Sequence, residues 1–514
     1  MANTINIPKT HLIMGLCLPL AVMLGYFLAE PMDSGSMAVV VFVLVVLSVP
    51  LLMKWHHPIL ILSWNAIINP VFLPGRAPLW LFVAAASLLV AIVNRATSPD
   101  ERFINVPSLT RPLLALMAVV VMTAVMTGGF GVRSLGGTRY GGKGYFYIFA
   151  AVAGYFALTS KRIPASRAWL YAALFFLPGA TAIIANLAFA AGPKLYFLFE
   201  FFSPELTVDQ VGRSVFQDDI VRIAGLTCVA PALYSYLLAR FGIAGLLNLK
   251  KPLRLLLFLV AIAASLLGGY RGGLLLFAFT FVFFFYFEGL HRTRYLPILL
   301  CAILIAGGLL VPFAEKLPLA AQRTLSFLPV KMDPIAQQSA DASSEWRVQM
   351  WKNVLPEVPK YLFHGKGLGM SPNDLYMAQV SVSMPFGDQA AVAEAAGNYH
   401  NGPLSVLIPF GIYGMIAFAW FLIAGVRVLY RNLKFGDPSL RTLNGLILAA
   451  FLAHIVFFLF VFGALYSDLF LFLGLLGLGV SLNGAEPSVI EAPSEVAEIE
   501  VSPGYAEVIP LAPD

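Results

Sequence analysis

The chain is a near-continuous succession of apolar runs, each about as long as a bilayer is thick, and that feature alone removes most folds from consideration. A hydrocarbon core of roughly 30 Å takes about 20 apolar residues as a helix. Bounded by charge, Pro or Gly, such runs lie near 11–29, 36–53, 58–73, 77–93, 111–128, 144–158, 168–191, 222–239, 253–269, 273–287, 295–313, 403–426, 443–462 and 466–483. Only 12% of the 514 residues are charged, and the mean hydropathy is +0.82. These features predict an all-α, polytopic integral membrane protein with about fourteen transmembrane helices. They leave no room for two large soluble domains. A re-entrant hairpin at the weakly split pair around Asn69 and Pro70 is the alternative there, and it would lower the helix count by two.

The basic residues set the expected orientation. Alternate short connections carry Lys54, then Arg95, Arg102 and Arg111, then Lys161, Arg162 and Arg167. The same side receives Arg240, Lys250, Lys251, Arg254, Arg292, Arg294, Arg427, Arg431, Lys434 and Arg441, which with Lys9 makes eighteen, against eight in the short loops opposite. Short loops rich in Lys and Arg stay cytoplasmic. Both termini are therefore expected in the cytoplasm, with segments 193–221 and 314–402 on the periplasmic side of a bacterial inner membrane.

The division that follows is a membrane domain over 1–483, a large periplasmic loop with short helices over 314–402, and a cytoplasmic tail over 484–514. From Gly484 the tail holds seven acidic side chains and no basic ones, too little apolar surface to fold, and disorder is expected. The first run, 11–29, lacks a small-x-small cleavage site and is read as an uncleaved helix. Cys17, Cys228 and Cys301 fall in three different apolar runs, which argues for packing rather than disulfides or a metal cluster. The net charge of +6 is scattered through short loops, so no nucleic-acid partner is expected.

Four segments carry polar groups to the helix mouths of the predicted periplasmic face. In Gly268–Gly273, written GGYRGG, Arg271 stands between two apolar helices with no acidic residue nearby in sequence. An unpaired arginine at membrane depth costs at least ~2.5 kcal/mol on insertion scales unless something anionic or polar meets it. The flanking glycines leave backbone NH groups that can face a phosphate. The plain alternative is a snorkelling interfacial arginine. In DDIVRIAGLT, Arg222 opens a helix just after Asp218 and Asp219, which could simply pair with it. Two guanidinium groups nevertheless suit a pyrophosphate better than one.

In GNYHNGPLSVLIPFGIYG, His400 precedes a helix start near Pro403, between Asn398 and Asn401. Histidine is the side chain best able to take a proton near neutral pH, so it is a candidate general base; an incidental residue in a helix-start loop is the alternative. Asp218, Asp219, Glu345 and Glu394 are the carboxylates nearest these motifs should the base lie elsewhere. In EWRVQMWKNVLPEVPKYLFHGKGLG, Trp346, Met350, Trp351, Val354, Leu355 and Val358 recur at helical spacing, which predicts an amphipathic helix on the membrane surface with Arg347 on its polar side. The GxGxG at Gly365, Gly367 and Gly369 follows no plausible strand, so it is not a dinucleotide-binding loop. No HExxH, CxxC or aspartate cluster with metal-ligand spacing occurs, and neither a metal nor a cofactor is expected.

In this order and on one predicted face, these segments resemble the O-antigen ligase and polymerase superfamily. Arg222 resembles that family's arginine before a helix start, and Tyr270–Gly273 its [ST]RGG-type inter-helix turn. Arg347 and Trp351 with Gly367–Gly369 resemble its R-x-x-x-W segment, and His400 to Gly414 its HN loop before G-x-x-G. The resemblance spans roughly residues 205–430 and departs from the pattern at Tyr270, where a small hydroxyl is common, and after Arg222, where Asn-Pro-Asn is common.

The resemblance implies a metal-independent, inverting glycosyltransferase that takes a polyprenyl-pyrophosphate-linked glycan donor and passes the sugar to an acceptor hydroxyl, on a saccharide or on lipid A core. Arg222 and Arg271 would hold the pyrophosphate and His400 would serve the acceptor. Arg347, Asn398, Asn401 and Tyr270 would be further substrate contacts. Membrane lipid would be the other partner. A polymerase joining two lipid-linked units is the alternative within the class. A lipid-linked glycan flippase is the alternative outside it, though its charges belong inside the helices of two related halves rather than in one large outer loop.

Overall fold

The computed structural model describes residues 34–97, 103–131, 140–211, 220–373 and 397–484, with a few isolated positions besides. The run 11–29 and the tail 485–514 lie for the most part outside the described residues. Among the described residues the chain is helical, and the only bridge pairing is the isolated contact of Tyr140 with Met370.

The apolar helices, in order, are α1 (Ser34–Trp64), α2 (Leu79–Thr97), α3 (Pro107–Met126), α4 (Lys143–Leu158), the helical span α5 (Ala165–Ala191), α6 (Leu226–Leu246), α7 (Pro252–Leu267), α8 (Arg271–Phe287) and α9 (Tyr295–Phe313). Two loop helices follow, α10 (Leu319–Leu325) and α11 (Pro334–Val354), and three more apolar ones close the chain, α12 (Gly402–Phe435), α13 (Arg441–Phe460) and α14 (Leu465–Asn483). Eight described helices are long and apolar enough to cross a bilayer, and α4, α7 and α8 are shorter apolar ones. The chain is thus a helical membrane protein.

The helix count differs from the fourteen expected at one described place. The runs 36–53 and 58–73 form a single helix, α1, which continues through Pro50 and Pro58 and stops at Trp64. The next residues leave helical form, and other parts of the chain satisfy their backbone: Asn69 N–H donates to Phe201 O (2.7 Å), Val71 N–H to Glu200 O (2.8 Å), and Ile67 N–H to Thr181 Oγ1 (2.9 Å). Irregular backbone at membrane depth is tolerated only where protein or water supplies such partners. A local reading of apolar runs cannot see partners more than a hundred residues away.

α12 packs along α3 and α13, and α14 along α4; their facing side chains form the main buried core, with Phe418, Phe421, Phe451 and Phe472 fully enclosed. α9, apolar on every side, has no buried residue. α12 is kinked at Gly411, where φ is +66°, just after Pro409. The interrupted helix carbonyls of Ile408 and Pro409 accept from Lys366 N–H (2.8 Å) and Gly367 N–H (2.9 Å), and Ile412 N–H donates to Leu362 O (2.7 Å). Gly365 and Gly367 sit at φ +70° and +76°, and a Cβ on Gly365 would run into the Pro409 carbonyl. The GxGxG segment therefore completes the hydrogen bonding of a helix kink, which fixes the loop above α12.

Candidate functional site

The turn between α7 and α8 is the foundation of the site. Gly269 has φ +73°, a conformation that lets α8 start at once with Arg271 as its first residue, and a Cβ there would meet the Arg222 side chain. Arg222, on the irregular segment before α6, is 5% exposed; its aliphatic part lies over Gly269 and its guanidinium 5.8 Å from the Tyr270 ring centroid. Arg222 is thus in direct contact with Gly269 and Tyr270 of the turn that carries Arg271. Asp218 and Asp219 lie outside the described residues.

A third arginine, unmarked by any motif, braces this turn. Arg323, on α10 and 8% exposed, donates from Nη1 to Gly269 O and from Nε to Ser339 Oγ (2.8 Å), while Thr324 Oγ1 donates to Leu266 O (3.1 Å). A cation at the carbonyl end of α7 is favoured by the helix dipole. The sequence holds no signal for it beyond a basic residue in a long loop.

Arg271 reaches α11. Its Nη2 donates to Ala340 O (3.0 Å) and Ser344 Oγ (3.0 Å), and its Nη1 lies 3.4 Å from Ser326 Oγ. These acceptors are neutral, so they orient the fork without discharging it. Arg347, one to two turns further along α11, is half-buried with its guanidinium 5.9 Å from the Phe462 ring centroid, and its Nε has no hydrogen-bond partner among the described residues. Burial and then the charge of Arg271 press the Arg347 pKa below the usual arginine range. Two cations are held close with no described carboxylate bonded to either; burial lowers the Arg271 pKa and the Asp341 charge partly offsets that, so a further anion would be favoured between the arginines.

α11 itself is longer than the predicted amphipathic segment, beginning at Pro334 with the Asp333 carboxylate capping Ile335 N–H (2.8 Å). Part of its apolar stripe is covered by protein, while Leu355 stays exposed. Met350 and Val354 are buried against Tyr399, Leu404 and Ile408, and Trp351 Nε1 donates to Tyr399 O (2.9 Å). Helical spacing identifies an apolar face but not what covers it, and here the start of α12 does.

That packing sets His400. Asn401 caps α12, its Oδ1 accepting from Leu404 N–H (3.1 Å), and Asn398 Oδ1 lies 3.4 Å from the His400 N–H. The two asparagines thus shape the turn with their side-chain oxygens, and His400 is held at φ +49° between them. The imidazole stands edge-on to Trp346 (ring centroids 5.0 Å apart) and Phe462 (4.8 Å), and its Nδ1 has no hydrogen-bond partner among the described residues. Burial first, then the Arg347 charge, lowers its pKa to about 4, so the ring is neutral at pH 7. Of the alternative bases, Glu345 is exposed on α11 and Glu394 lies outside the described residues. Phe462, between α13 and α14, joins His400 to Arg347 and escaped notice because it ends an ordinary apolar run.

All four sequence segments therefore meet through an unbroken chain of contacts: Arg222 to Gly269 and Tyr270, Arg271 to α11, Arg347 and Trp346 on α11, and His400 against Trp346. Among the described residues no group of three His, Cys, Asp or Glu side chains gathers as metal ligands.

The candidate site of this helical membrane protein is therefore an arginine-rich mouth on the turn between two apolar helices, roofed by a helical loop that presents a neutral histidine. Residues 256–419 match the family described as O-antigen ligase, a stretch that takes in the turn, Arg271, Arg323, Arg347 and His400 and leaves Arg222 outside it. That match supports the O-antigen ligase superfamily, and with it the broad activity class of glycan transfer of the ligase and polymerase type. No curated protein matches the chain.

Proposed function

We propose that the protein transfers a glycan from a polyprenyl-pyrophosphate-linked donor to an acceptor hydroxyl at the periplasmic face of the bacterial inner membrane, as an O-antigen ligase does. The observation that carries this reading is the placement of two mutually repelling cations beside a neutral His400: Arg271, hydrogen-bonded to neutral acceptors with the Asp341 charge as a partial offset, and Arg347. A pyrophosphate would relieve that repulsion, and planar guanidinium groups match phosphate oxygens in pairs. Arg222, stacked against Tyr270, would extend the clamp, with Asn398 and Asn401 acting by holding the turn.

In the reaction the acceptor oxygen attacks the anomeric carbon as the bond to the pyrophosphate oxygen breaks, which inverts that centre. The electron pair leaves with the polyprenyl pyrophosphate, where the arginines stabilise the growing charge. The acceptor's proton passes to a His400 ring nitrogen. His400 starts with a low pKa, but a bound pyrophosphate offsets the Arg347 charge and raises it toward the working pH.

Deleting the gene and examining surface polysaccharide together with lipid-linked intermediates tests this. Polymer stranded on the polyprenyl carrier is the expected result. Retained single units with loss of long chains would assign polymerisation instead, and an unchanged glycan profile would end the proposal.

A further inference from the structure

Below its kink at Gly411, α12 runs on from Ile412 to Phe435, about 36 Å at 1.5 Å per residue, so its last turns pass beyond a hydrocarbon core of roughly 30 Å. At that end, away from His400, α12 and the start of α3 enclose a cavity of about 430 Å³. It is lined by Ser108 and Arg111 of α3 and by Trp420, Arg427, Tyr430 and Arg431 of α12. Among the described residues none that lines it is acidic.

Its two ends differ in chemistry. Trp420, Ala424, Arg427 and Arg431 recur at helical spacing and form one stripe along α12. From Trp420 to Arg431 the stripe descends roughly 16 Å. The Trp420 and Ala424 end is apolar, and the Arg111, Arg427 and Arg431 end is triply cationic. Trp420 is 47% exposed and Tyr430 50% exposed, so rings of the kind that settle at the membrane interface flank an open site. Arg111 and Arg427 are exposed, and the buried side chains of Ala424 and Val428 line the middle of the stripe.

We infer that this cavity binds the phosphodiester headgroup of an anionic membrane phospholipid. Arg111, Arg427 and Arg431 surround the phosphate, and an acyl chain runs past Ala424 along Trp420. Arginine forks match phosphate oxygens, and basic pockets between membrane helices are suited to anionic headgroups. An ion alone would use the cationic end and leave the apolar end unfilled. The site stands apart from the arginines at the loop face and does not rest on the chemistry proposed there.

The test titrates cardiolipin into the delipidated, full-length protein in neutral detergent, following bound lipid by native mass spectrometry and thermal stability in parallel. Cardiolipin is expected to bind and raise Tm, and phosphatidylethanolamine to do so far less. The double variant Arg427→Gln/Arg431→Gln should weaken cardiolipin binding roughly tenfold or more. Two single variants guard against a misfolded double: Arg111→Gln, on the other helix, should weaken cardiolipin in the same direction. Ala424→Leu, which crowds the acyl path and keeps every charge, should weaken cardiolipin but not inorganic phosphate. Undiminished cardiolipin binding in the arginine variants would overturn the inference. So would inorganic phosphate displacing cardiolipin at equal concentration, which would reduce the cavity to an ion site.

Discussion

His400 and Arg347 share one aromatic wall: the Phe462 ring lies 4.8 Å from the imidazole and 5.9 Å from the guanidinium. Each group therefore sits in the other's field, and after burial the Arg347 charge is the second cause that lowers the His400 pKa. The imidazole is kept neutral by this arrangement, and an incoming anion acts on both groups at once.

A first consequence concerns stability against pH. The His400 pKa is about 4 in the fold, against 6.5 when unperturbed. Between those values the unfolded chain binds the extra proton, so stability rises with pH across this window and is lost as pH falls from 6.5 toward 4. The fall in Tm on acidification should therefore be steeper in the native protein than in His400→Gln. Parallel curves would mean that the imidazole is not held neutral by its surroundings.

The kinetic counterpart runs in the opposite direction once donor is bound. Pyrophosphate beside Arg271 and Arg347 adds negative charge near the ring and raises the His400 pKa. The acid limb of kcat, which reports the loaded enzyme, should lie at higher pH than that of kcat/KM, which reports the free one. Coincident limbs would remove the anion from the neighbourhood of His400.

Arg271→Lys tests the fork itself. The three neutral oxygens at Ser326, Ala340 and Ser344 fix the plane of the native guanidinium, and a lysine keeps the charge without two parallel donors. Donor affinity should fall about tenfold or more, with Tm little changed, since charge-assisted bidentate bonds are roughly twice as strong as neutral ones. Normal transfer at normal protein levels would make Arg271 an interfacial anchor and nothing else.

Much of this was legible before any coordinates, and the misses have physical causes. Apolar run length locates the membrane helices because lipid imposes it. Arg222, Arg271, Arg347 and His400 stand out because charge or a lone imidazole at a helix mouth needs a reason. Phe462 and Arg323 do not stand out, since an aromatic in an apolar run and a cation in a long loop are what such segments ordinarily contain. The α11 stripe was visible, but its partner at Tyr399 and Leu404 was not, because spacing carries no information on which surface answers it. Asn398 and Asn401 are expected as substrate contacts from the family resemblance, and what spacing does not reveal is that both use their side-chain oxygens to shape the backbone around His400.

Orientation is open to a direct chemical test. Gln338, exposed on α11, and Ser166, exposed at the start of α5, are suitable labelling positions. In intact cells an impermeant thiol reagent should label a cysteine at Gln338 and spare one at Ser166. The reverse pattern would turn the arginine mouth toward the cytoplasm and refute transfer at the periplasmic face.

The sharpest contrast sets His400→Ala against Arg323→Gln. His400 makes ring contacts and no Nδ1 hydrogen bond among the described residues, so its loss should leave the arginine clamp standing. Donor should then still raise Tm, while transfer falls by about 10²- to 10⁴-fold, the usual contribution of a general base. Arg323 touches no part of the proposed reaction but holds the turn that positions Arg222 and Arg271, bonding Gly269 O and Ser339 Oγ. Shortening it to Gln strands those buried acceptors at about 1–3 kcal/mol, so Tm and donor affinity should fall together, and transfer at saturating donor should recover in part. Near-native transfer in His400→Ala would take the base away from this residue. If donor no longer stabilises His400→Ala, His400 belongs to the binding pocket, and the proton must go to another group at the mouth, with exposed Glu345 the first to replace.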